Sequence, residues 1–329
     1  MQTRLRGKHF ITTQDWTVDE LETVFDVAFD LKRKFALGES HRYLPDKTLF
    51  MIFFDNSTRT RNSFEAGITQ LGGHAHDLTP NRLQISHGEG PADTAKVLSR
   101  YGHGIAVRYC NYGEGNAYIK EVAANASVPV FNMQCDIYHP CQILADYMTI
   151  RERFGHNTKG LKLAVSWTSA PKYVRPISVP QSLILMMPRF GINVTLAHPP
   201  EFKLMPEIVA QAEANAEAAG SRFRVVHSME EAFEDADVVI PKSWGPLVHT
   251  QDTSEGLRLI EKYPGWCCDS KMMGLAKPSA IYMHPLPADR GFEVTDEVID
   301  GPQSVVYDEA ENRLHVQKAL MALTMGGRP

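Results

Sequence analysis

Between Phe53 and Arg61 the chain reads FFDNSTRTR, so Ser57-Thr58-Arg59-Thr60-Arg61 sets three hydroxyls and two guanidinium groups side by side. Hydroxyls and backbone N–H groups donate to anions, and arginine adds a planar, permanently charged fork that matches phosphate or carboxylate. The stretch follows the apolar run TLFMIFF and leads into NSFEAGITQLGG, whose spacing is helical until its glycines. A strand, a short polar loop and a helix bring N–H groups and the positive end of a helix dipole to one point, which suits a phosphate. The plain alternative is an ordinary Ser/Thr cap with solvated arginines, but two arginines alternating with three hydroxyls exceed what a cap needs.

Other residues of this kind recur along the chain. Arg108 closes the apolar strand GIAVRY, and a charge at a strand's carboxyl end falls on the ligand-binding edge of an open α/β sheet; a merely exposed strand end is the alternative. His139-Pro140-Cys141-Gln142 opens a helix, where the imidazole of His139 and the amide of Gln142 can face a polar ligand or simply cap the helix. His284-Pro285-Leu286-Pro287 follows AIYM, and two prolines around one leucine fix the backbone direction, so that its carbonyls face a ligand or the turn merely ends the strand. Cys135, His139 and Cys141 lack a second Cys/His pair at ligand spacing, so no metal is expected. Neither G-x-G-x-x-G after a first strand nor G-x-x-x-x-G-K-[ST] occurs, which speaks against dinucleotides and nucleoside triphosphates.

These groups need a scaffold that delivers strand ends to one edge. VDELETVFDVAFDLKRKF, NSFEAGITQLGG, TAKVLSRYG and YIKEVAANA carry helical periodicity, and TLFMIFF, GIAVRY and VPVFNM read as buried strands between them. After the helical HPCQILADYMTIRERFG the alternation restarts with LKLAVSW, PQSLILMMPRFG, INVTLAHP, MPEIVAQAEANAEAAG, FRVVHS, MEEAFEDA, DVVIPKSW and AIYMHPLP. The fold class is therefore α/β, two doubly wound parallel-sheet domains joined by helices. The first spans 1–148 and is completed by a C-terminal helix over 309–326, with Gly326-Gly327 ending it; the second spans 149–308.

Bulk properties set the remaining bounds. With 329 residues, Lys+Arg 34 against Asp+Glu 39 and a net charge of −5, the chain shows no basic block of the kind that binds nucleic acid or lipid. The 5 cysteines are odd in number, include the adjacent pair Cys267-Cys268 and follow no secretory leader, which points to a reducing, cytoplasmic location. No apolar run approaches the roughly 20 residues of a membrane span.

In this order STRTR, an arginine ending a strand, HPCQ and HPLP resemble the carbamoyltransferase family that includes the aspartate and ornithine enzymes, over nearly the whole chain. Within it, Pro171, Pro176 and Pro180 of WTSAPKYVRPISVPQS resemble the proline-rich loop of the knotted branch, typified by N-acetylornithine and N-succinylornithine carbamoyltransferases. Lys242-Ser243-Trp244-Gly245 and Glu311-Asn312-Arg313-Leu314-His315 support this, and QISHGE with HPLPAD is closest to knotted members of unsettled second substrate.

The resemblance implies a carbamoyl phosphate site built from Ser57, Thr58, Arg59, Thr60, Arg108, His139, Gln142, Leu286 and Arg313. In it Thr60, Arg108 and His139 stabilise the tetrahedral oxyanion, Gln142 and the Leu286 carbonyl hold the carbamoyl NH₂, and Arg313 lies near the carbonyl oxygen. No cofactor is implied, because phosphate is itself a competent leaving group. A homotrimer follows from the same likeness, with the loop around Gln84 to Glu89 reaching a neighbour's site. So do a cis Leu286–Pro287 peptide and a loop between Trp167 and Ser182 threaded by the segment around Lys242-Ser243-Trp244.

The second substrate is expected at the second domain's strand ends, from Lys242, Ser243, Trp244, His284, Pro285 and Arg290. Lys242 and Arg290 suggest an amine that also carries a carboxylate, unless both are ion-paired to Asp289 or a nearby acid. The attacking amine must be unprotonated, so activity is expected to rise with pH through neutrality. The D-x-x-x-S-M-G element of the ornithine enzyme is missing, its H-C-L-P is replaced by HPLP, and Ile143 stands where the acetylornithine enzyme has Glu. An ornithine enzyme with divergent substrate loops and a non-catalytic binder of phosphorylated metabolites are the alternatives.

Overall fold

The computed structural model describes residues 4–171 and 173–326. It divides into two compact units, Met1–Ala145 with Glu311–Pro329, and Asp146–Ala310.

In the first unit α1 (Val18–Ala36) precedes β1 (Thr48–Phe53), α2 (Arg59–Gln70), β2 (His74–Leu78), α3 (Pro91–Tyr101), β3 (Gly104–Tyr109), α4 (Gly115–Asn125), β4 (Val130–Cys135) and the start of α5 (Pro140–Phe154). All strand pairs are parallel, in the order β2-β1-β3-β4. β1, β3 and β4 are near-continuous apolar runs because helices cover both faces of such a sheet. Ile52, Ile105, Val107, Val130 and Cys135 join Ile119 and Val122 of α4 in one buried cluster. The edge strand β2 has the sequence HAHDL, which shows no strand pattern, and it pairs only because β1 offers a free edge.

The second unit runs β5 (Lys162–Trp167), α6 (Ser178–Met186), β6 (Asn193–Ala197), α7 (Pro206–Ala219), β7 (Phe223–Val226), α8 (Met229–Phe233), β8 (Val238–Lys242) and β9 (Ile281–Tyr282). This sheet is also parallel, ordered β7-β6-β5-β8-β9. Every residue of α6 is buried, Ser178, Gln181 and Ser182 included, and Gln181 accepts from the Met205 N–H at 3.1 Å. Both chain crossings between the units fall inside helices, in α5 and in the C-terminal helix Val306–Thr324. Gly326 follows that helix with a φ of 93°, and Gly327 lies outside the described residues.

In each sheet the strand order reverses once, between β1 and β3 and between β5 and β8. Loops leaving neighbouring strands part in opposite directions at such a point and leave a crevice at the carboxyl edge, where ligands of open α/β sheets bind. The stretch FFDNSTRTR leaves β1 and Arg108 sits one residue before the end of β3, so both flank the first crevice. Lys242 ends β8 beside Trp167 at the end of β5, at the second.

One close approach fixes the first edge. Gly115 opens α4 so near the end of β3 that an added Cβ would stand 1.8 Å from the Tyr109 carbonyl oxygen. Asp136 braces the same turn, accepting from the N–H groups of Gly113 and Asn116 at 2.9 and 2.7 Å. Gly115→Ala is therefore expected to destabilise the protein by about 3 kcal/mol, the upper range for overpacking, as read from urea denaturation.

Candidate functional site

The first half-site is built where β1 and β3 end. The N–H of Phe54 donates to the Arg108 carbonyl at 2.9 Å, and Asp55 accepts from the N–H of Cys110 at 2.8 Å, so the exit of β1 is pinned to the exit of β3. The β3–β4 register shifts between Val107 and Arg108, an irregularity of the kind that re-aims a side chain at a sheet edge. From there the chain enters α2 at Arg59. Unlike α1, whose N-terminus is closed by a capping box between Thr17 and Glu20, α2 begins after Thr58 with no side-chain cap bond. Its first N–H groups and the neighbouring hydroxyls are left for something other than a cap.

The two arginines of the stretch part ways. Arg61 is ion-paired to Asp77 of β2, with its guanidinium 4.1 Å from the centre of the Phe53 ring, so it fastens α2 to the sheet. Arg59 acts electrostatically on His139, as do Arg108 and Arg313. Burial and these three positive groups hold the His139 imidazole well below its usual range, so it is neutral at physiological pH. Arg313, 2% exposed, donates to Thr60 Oγ1 at 2.7 Å and to Gln142 Oε1, which joins three of the proposed residues from α2, α5 and the C-terminal helix. The Nε of Arg108 is buried with no hydrogen-bond partner among the described residues. One buried and two half-buried guanidinium groups beside neutral acceptors can receive an anion, most simply a phosphate dianion.

Cys135 and Cys141, near His139 in sequence, are engaged by the backbone and, for Cys135, by the side chains of Asn132 and Asn116. Cys135 Sγ accepts from Tyr138 N at 3.2 Å, Cys141 Sγ lies 3.7 Å from the Asn132 carbonyl, and burial pushes both thiols up to about 12.

The second half-site lies at the carboxyl edge of the other sheet and centres on Glu293. This carboxylate, fully buried, accepts from Lys242 Nζ and the Ser243 N–H at 2.7 Å each, and from the Asp289 N–H at 2.8 Å. His284 Nε2 stands 3.2 Å from Glu293 Oε1, within ion-pair range but not aligned as a hydrogen bond. Burial lowers Lys242 to about 8 against the opposing pull of Glu293, and burial also lowers His284. The positive groups around it, Lys242 foremost, keep Glu293 ionised well below the usual carboxylate range although burial alone would raise it. The main chain of His284 donates to Glu309 at 2.7 Å, and Pro285 is buried beside it. Leu286 is half-buried and the Leu286–Pro287 peptide is cis, as the resemblance implies.

Two of the residues expected to hold a second substrate are engaged elsewhere. Trp244 is buried; its Nε1 donates to the Phe202 carbonyl at 2.7 Å and its carbonyl accepts from Trp167 Nε1 at 2.8 Å. Arg290 is exposed and held by Asp300 at 2.6 and 2.8 Å and by Asp296. Conversely, Glu293, Arg175 and Tyr173 were not among the expected residues. Arg175 pairs with Asp289 at 2.7 Å, donates to the Pro287 carbonyl at 3.0 Å and contacts Tyr173, which also reaches Asp289. The only trace in the sequence is a lone acid between Phe292 and Val294 and a lone arginine between Val174 and Pro176. Near them, the Gly245 N–H donates to the Arg175 carbonyl at 2.9 Å, and a Cβ on Gly245 would meet Val174 at 1.9 Å.

Comparison with known proteins covers both half-sites. Residues 8–152 match the family model of the aspartate/ornithine carbamoyltransferase carbamoyl-P binding domain, and residues 176–324 that of the Asp/Orn binding domain. An ornithine carbamoyltransferase of Thermococcus kodakarensis is 42% identical over 99% of both chains. Escherichia coli K12 YgeW, whose name gives a carbamoyltransferase without an acceptor, is 38% identical over 100% of this chain and 92% of its own. The crystal structure of an acetylornithine transcarbamylase complexed with acetylcitrulline superposes with a TM-score of 0.87 at 34% identity, covering 95% of this chain and 98% of the other.

The ionisation of Glu293 carries a stability signature. Its folded-state pKa is depressed, so its contribution is present above the unfolded value of 4.5 and is lost as pH falls toward the folded value. From pH 5 to pH 3 the unfolding free energy is expected to fall by about 2 kcal/mol more in the wild type than in Lys242→Met/Glu293→Gln, which removes both buried charges, with the slope approaching about 1.4 kcal/mol per pH unit only below pH ~4. Urea titrations at stepped pH measure the difference.

Proposed function

The chain belongs to the aspartate/ornithine carbamoyltransferase family, and on that premise we propose how its residues move a carbamoyl group from carbamoyl phosphate to an amine. What carries the reading is the gathering of Arg59, Arg108 and Arg313 around a neutral His139 beside the uncapped start of α2. Ser57, Thr58, Arg59, Thr60 and Arg108 take the phosphate, whose charge suits them and which later departs. The amine nitrogen attacks the carbamoyl carbon, a C–N bond forms and the carbon–oxygen bond to phosphate breaks. The proton shed by the nitrogen leaves with the phosphate dianion as hydrogen phosphate.

The oxyanion of the tetrahedral intermediate is assigned to Thr60, Arg108 and His139. A neutral imidazole serves there as an N–H donor, and fixed donors of this kind typically supply about 10²–10³ in rate each. Gln142 and the Leu286 carbonyl are assigned to the carbamoyl NH₂ and Arg313 to its carbonyl oxygen. The Arg313 bonds to Gln142 and Thr60 hold those two side chains in place in support of this.

For the acceptor we retain a small amine carrying a carboxylate, because the matched second domain is the Asp/Orn binding one. Lys242, Ser243, His284 and Pro285 remain its assigned surroundings, while the charge of Arg290 is taken up by Asp296 and Asp300. Ornithine itself is the narrower reading, favoured by the Thermococcus relative and opposed by the missing D-x-x-x-S-M-G element. A homotrimer with the loop around Gln84 to Glu89 serving a neighbour, a cytoplasmic location and the threading of the Trp167–Ser182 loop belong to the same proposal. Exposed Gln84 and Glu89, five free cysteines and the contacts of Gly245 with Val174 and Arg175 support them in turn. Lys172, within that loop, is outside the described residues. Among the described residues no helix is long and apolar enough to cross a membrane.

The two arginines of FFDNSTRTR separate binding from scaffolding. Arg59→Ala should weaken carbamoyl phosphate binding by roughly 30-fold, the worth of a charged hydrogen-bond partner. Arg61→Ala should leave binding within threefold and lower the melting temperature. Calorimetric titration of both variants checks this, and near-normal affinity in Arg59→Ala would remove that residue from the phosphate site.

A further inference from the structure

We propose that Glu293 is the positioning residue of the acceptor half-site, holding Lys242 and the His284–Arg290 turn in the one arrangement that accepts the amine. The inference rests on the carbamoyltransferase reading and extends it to a residue and a task that the reading leaves unassigned.

Glu293 is placed to act on backbone as well as on charges. One carboxylate oxygen takes Lys242 Nζ and the Ser243 N–H at 2.7 Å, fixing the end of β8. The other takes the Asp289 N–H at 2.8 Å and stands 3.5 Å from Arg175 Nη2, fixing the turn that follows β9. Arg175 extends the clasp, since its second nitrogen donates to the Pro287 carbonyl at 3.0 Å, inside the turn itself. Three chain segments, distant in sequence, thus meet on one buried carboxylate at the carboxyl edge of the sheet, beside the β5/β8 reversal.

Stability alone does not account for such a cluster. Lys242 and Arg175 face Glu293 and Asp289, two cations against two carboxylates, and well-packed apolar residues of similar volume commonly serve as well or better. What the ionic version adds is geometry: main-chain N–H groups and side-chain donors converge on fixed oxygens. At the same edge, His284 Nδ1 and Thr168 Oγ1 are buried without a hydrogen-bond partner among the described residues. Polar atoms left in that condition point to a ligand that completes them. Lys242 is kept as an ammonium at neutral pH by Glu293, although burial draws it to about 8, so losing the carboxylate changes both the position and the charge presented to the amine.

The test compares Glu293→Gln with the double variant Lys242→Met/Glu293→Gln, using carbamoyl phosphate with L-ornithine, N-acetyl-L-ornithine or putrescine as amine and phosphate release as signal. In Glu293→Gln, kcat/KM for whichever amine the wild type uses best should fall about 100-fold. Carbamoyl phosphate affinity, set mainly by the phosphate contacts of the first unit with the Leu286 carbonyl as one neutral contact more, should fall by no more than about tenfold by calorimetry. The double variant leaves no buried charge uncompensated and should recover the wild-type melting temperature while its kcat/KM stays at least 30-fold down. Recovery of activity together with stability would show that Glu293 merely packs, and so would a Glu293→Gln variant within threefold of wild type; either overturns the proposal and leaves carbamoyl transfer standing. If Glu293→Gln does not fold, the double variant alone decides by the same criterion. A wild type in which no amine raises phosphate release above the amine-free rate overturns the carbamoyltransferase reading, and this proposal with it.

Discussion

Three guanidinium groups drawn toward one neutral imidazole are the constraint on which the first unit turns. Arg59, Arg108 and Arg313 act electrostatically on His139 from the start of α2, near the end of β3 and the C-terminal helix. Cations held together in a partly desolvated place repel one another, and an opposite charge at 4 Å offsets this by about 4 kcal/mol at an effective dielectric near 20. The sheet therefore has to be rigid enough to keep them there before the anion arrives. The parallel ladder of β1, β3 and β4, the Asp55 and Asp136 braces and the tie from Arg61 to Asp77 supply that rigidity. Preorganisation of this kind lets binding energy go into the developing oxyanion instead of into ordering the site.

The second unit solves a different problem with similar means. At its carboxyl edge Lys242 pairs with Glu293, Arg175 with Asp289 and Glu293, and Arg290 with Asp300 and Asp296. On the proposed reading the first unit takes a dianion, which gathered guanidinium groups suit, and the second takes an amine whose own carboxylate calls for a single ammonium, that of Lys242, held in place by Glu293. Both edges arise from the same reversal of strand order.

How much of this was legible before folding differs between the edges. The alternation of apolar runs with helical periods announced both parallel sheets, and FFDNSTRTR announced the turn from β1 into α2, because strand-loop-helix patterning is local and its residues are contiguous. The edge strand HAHDL was invisible, since its pairing depends on β1 and not on its own alternation. The separate duties of Arg59 and Arg61 were equally hidden: two residues apart on a helix they face different ways, and Asp77, which claims Arg61, is remote in sequence. Glu293 went unnoticed for a related reason. A single acid among apolar neighbours is ordinary, and only the meeting of residues 175, 242, 284 and 289 on its oxygens gives it a role.

Carbamoyl transfer to nitrogen makes a ureido group, and its carbon can be followed directly. Carbamoyl phosphate labelled with ¹³C at the carbonyl, incubated with the protein and an amine panel and observed by NMR, should yield a ureido carbon resonance whose growth equals the phosphate released and which vanishes when the amine is omitted. Release of phosphate at the same rate with and without every amine, with the label ending only in carbonate or cyanate, would contradict the reading of these residues as a carbamoyltransferase site.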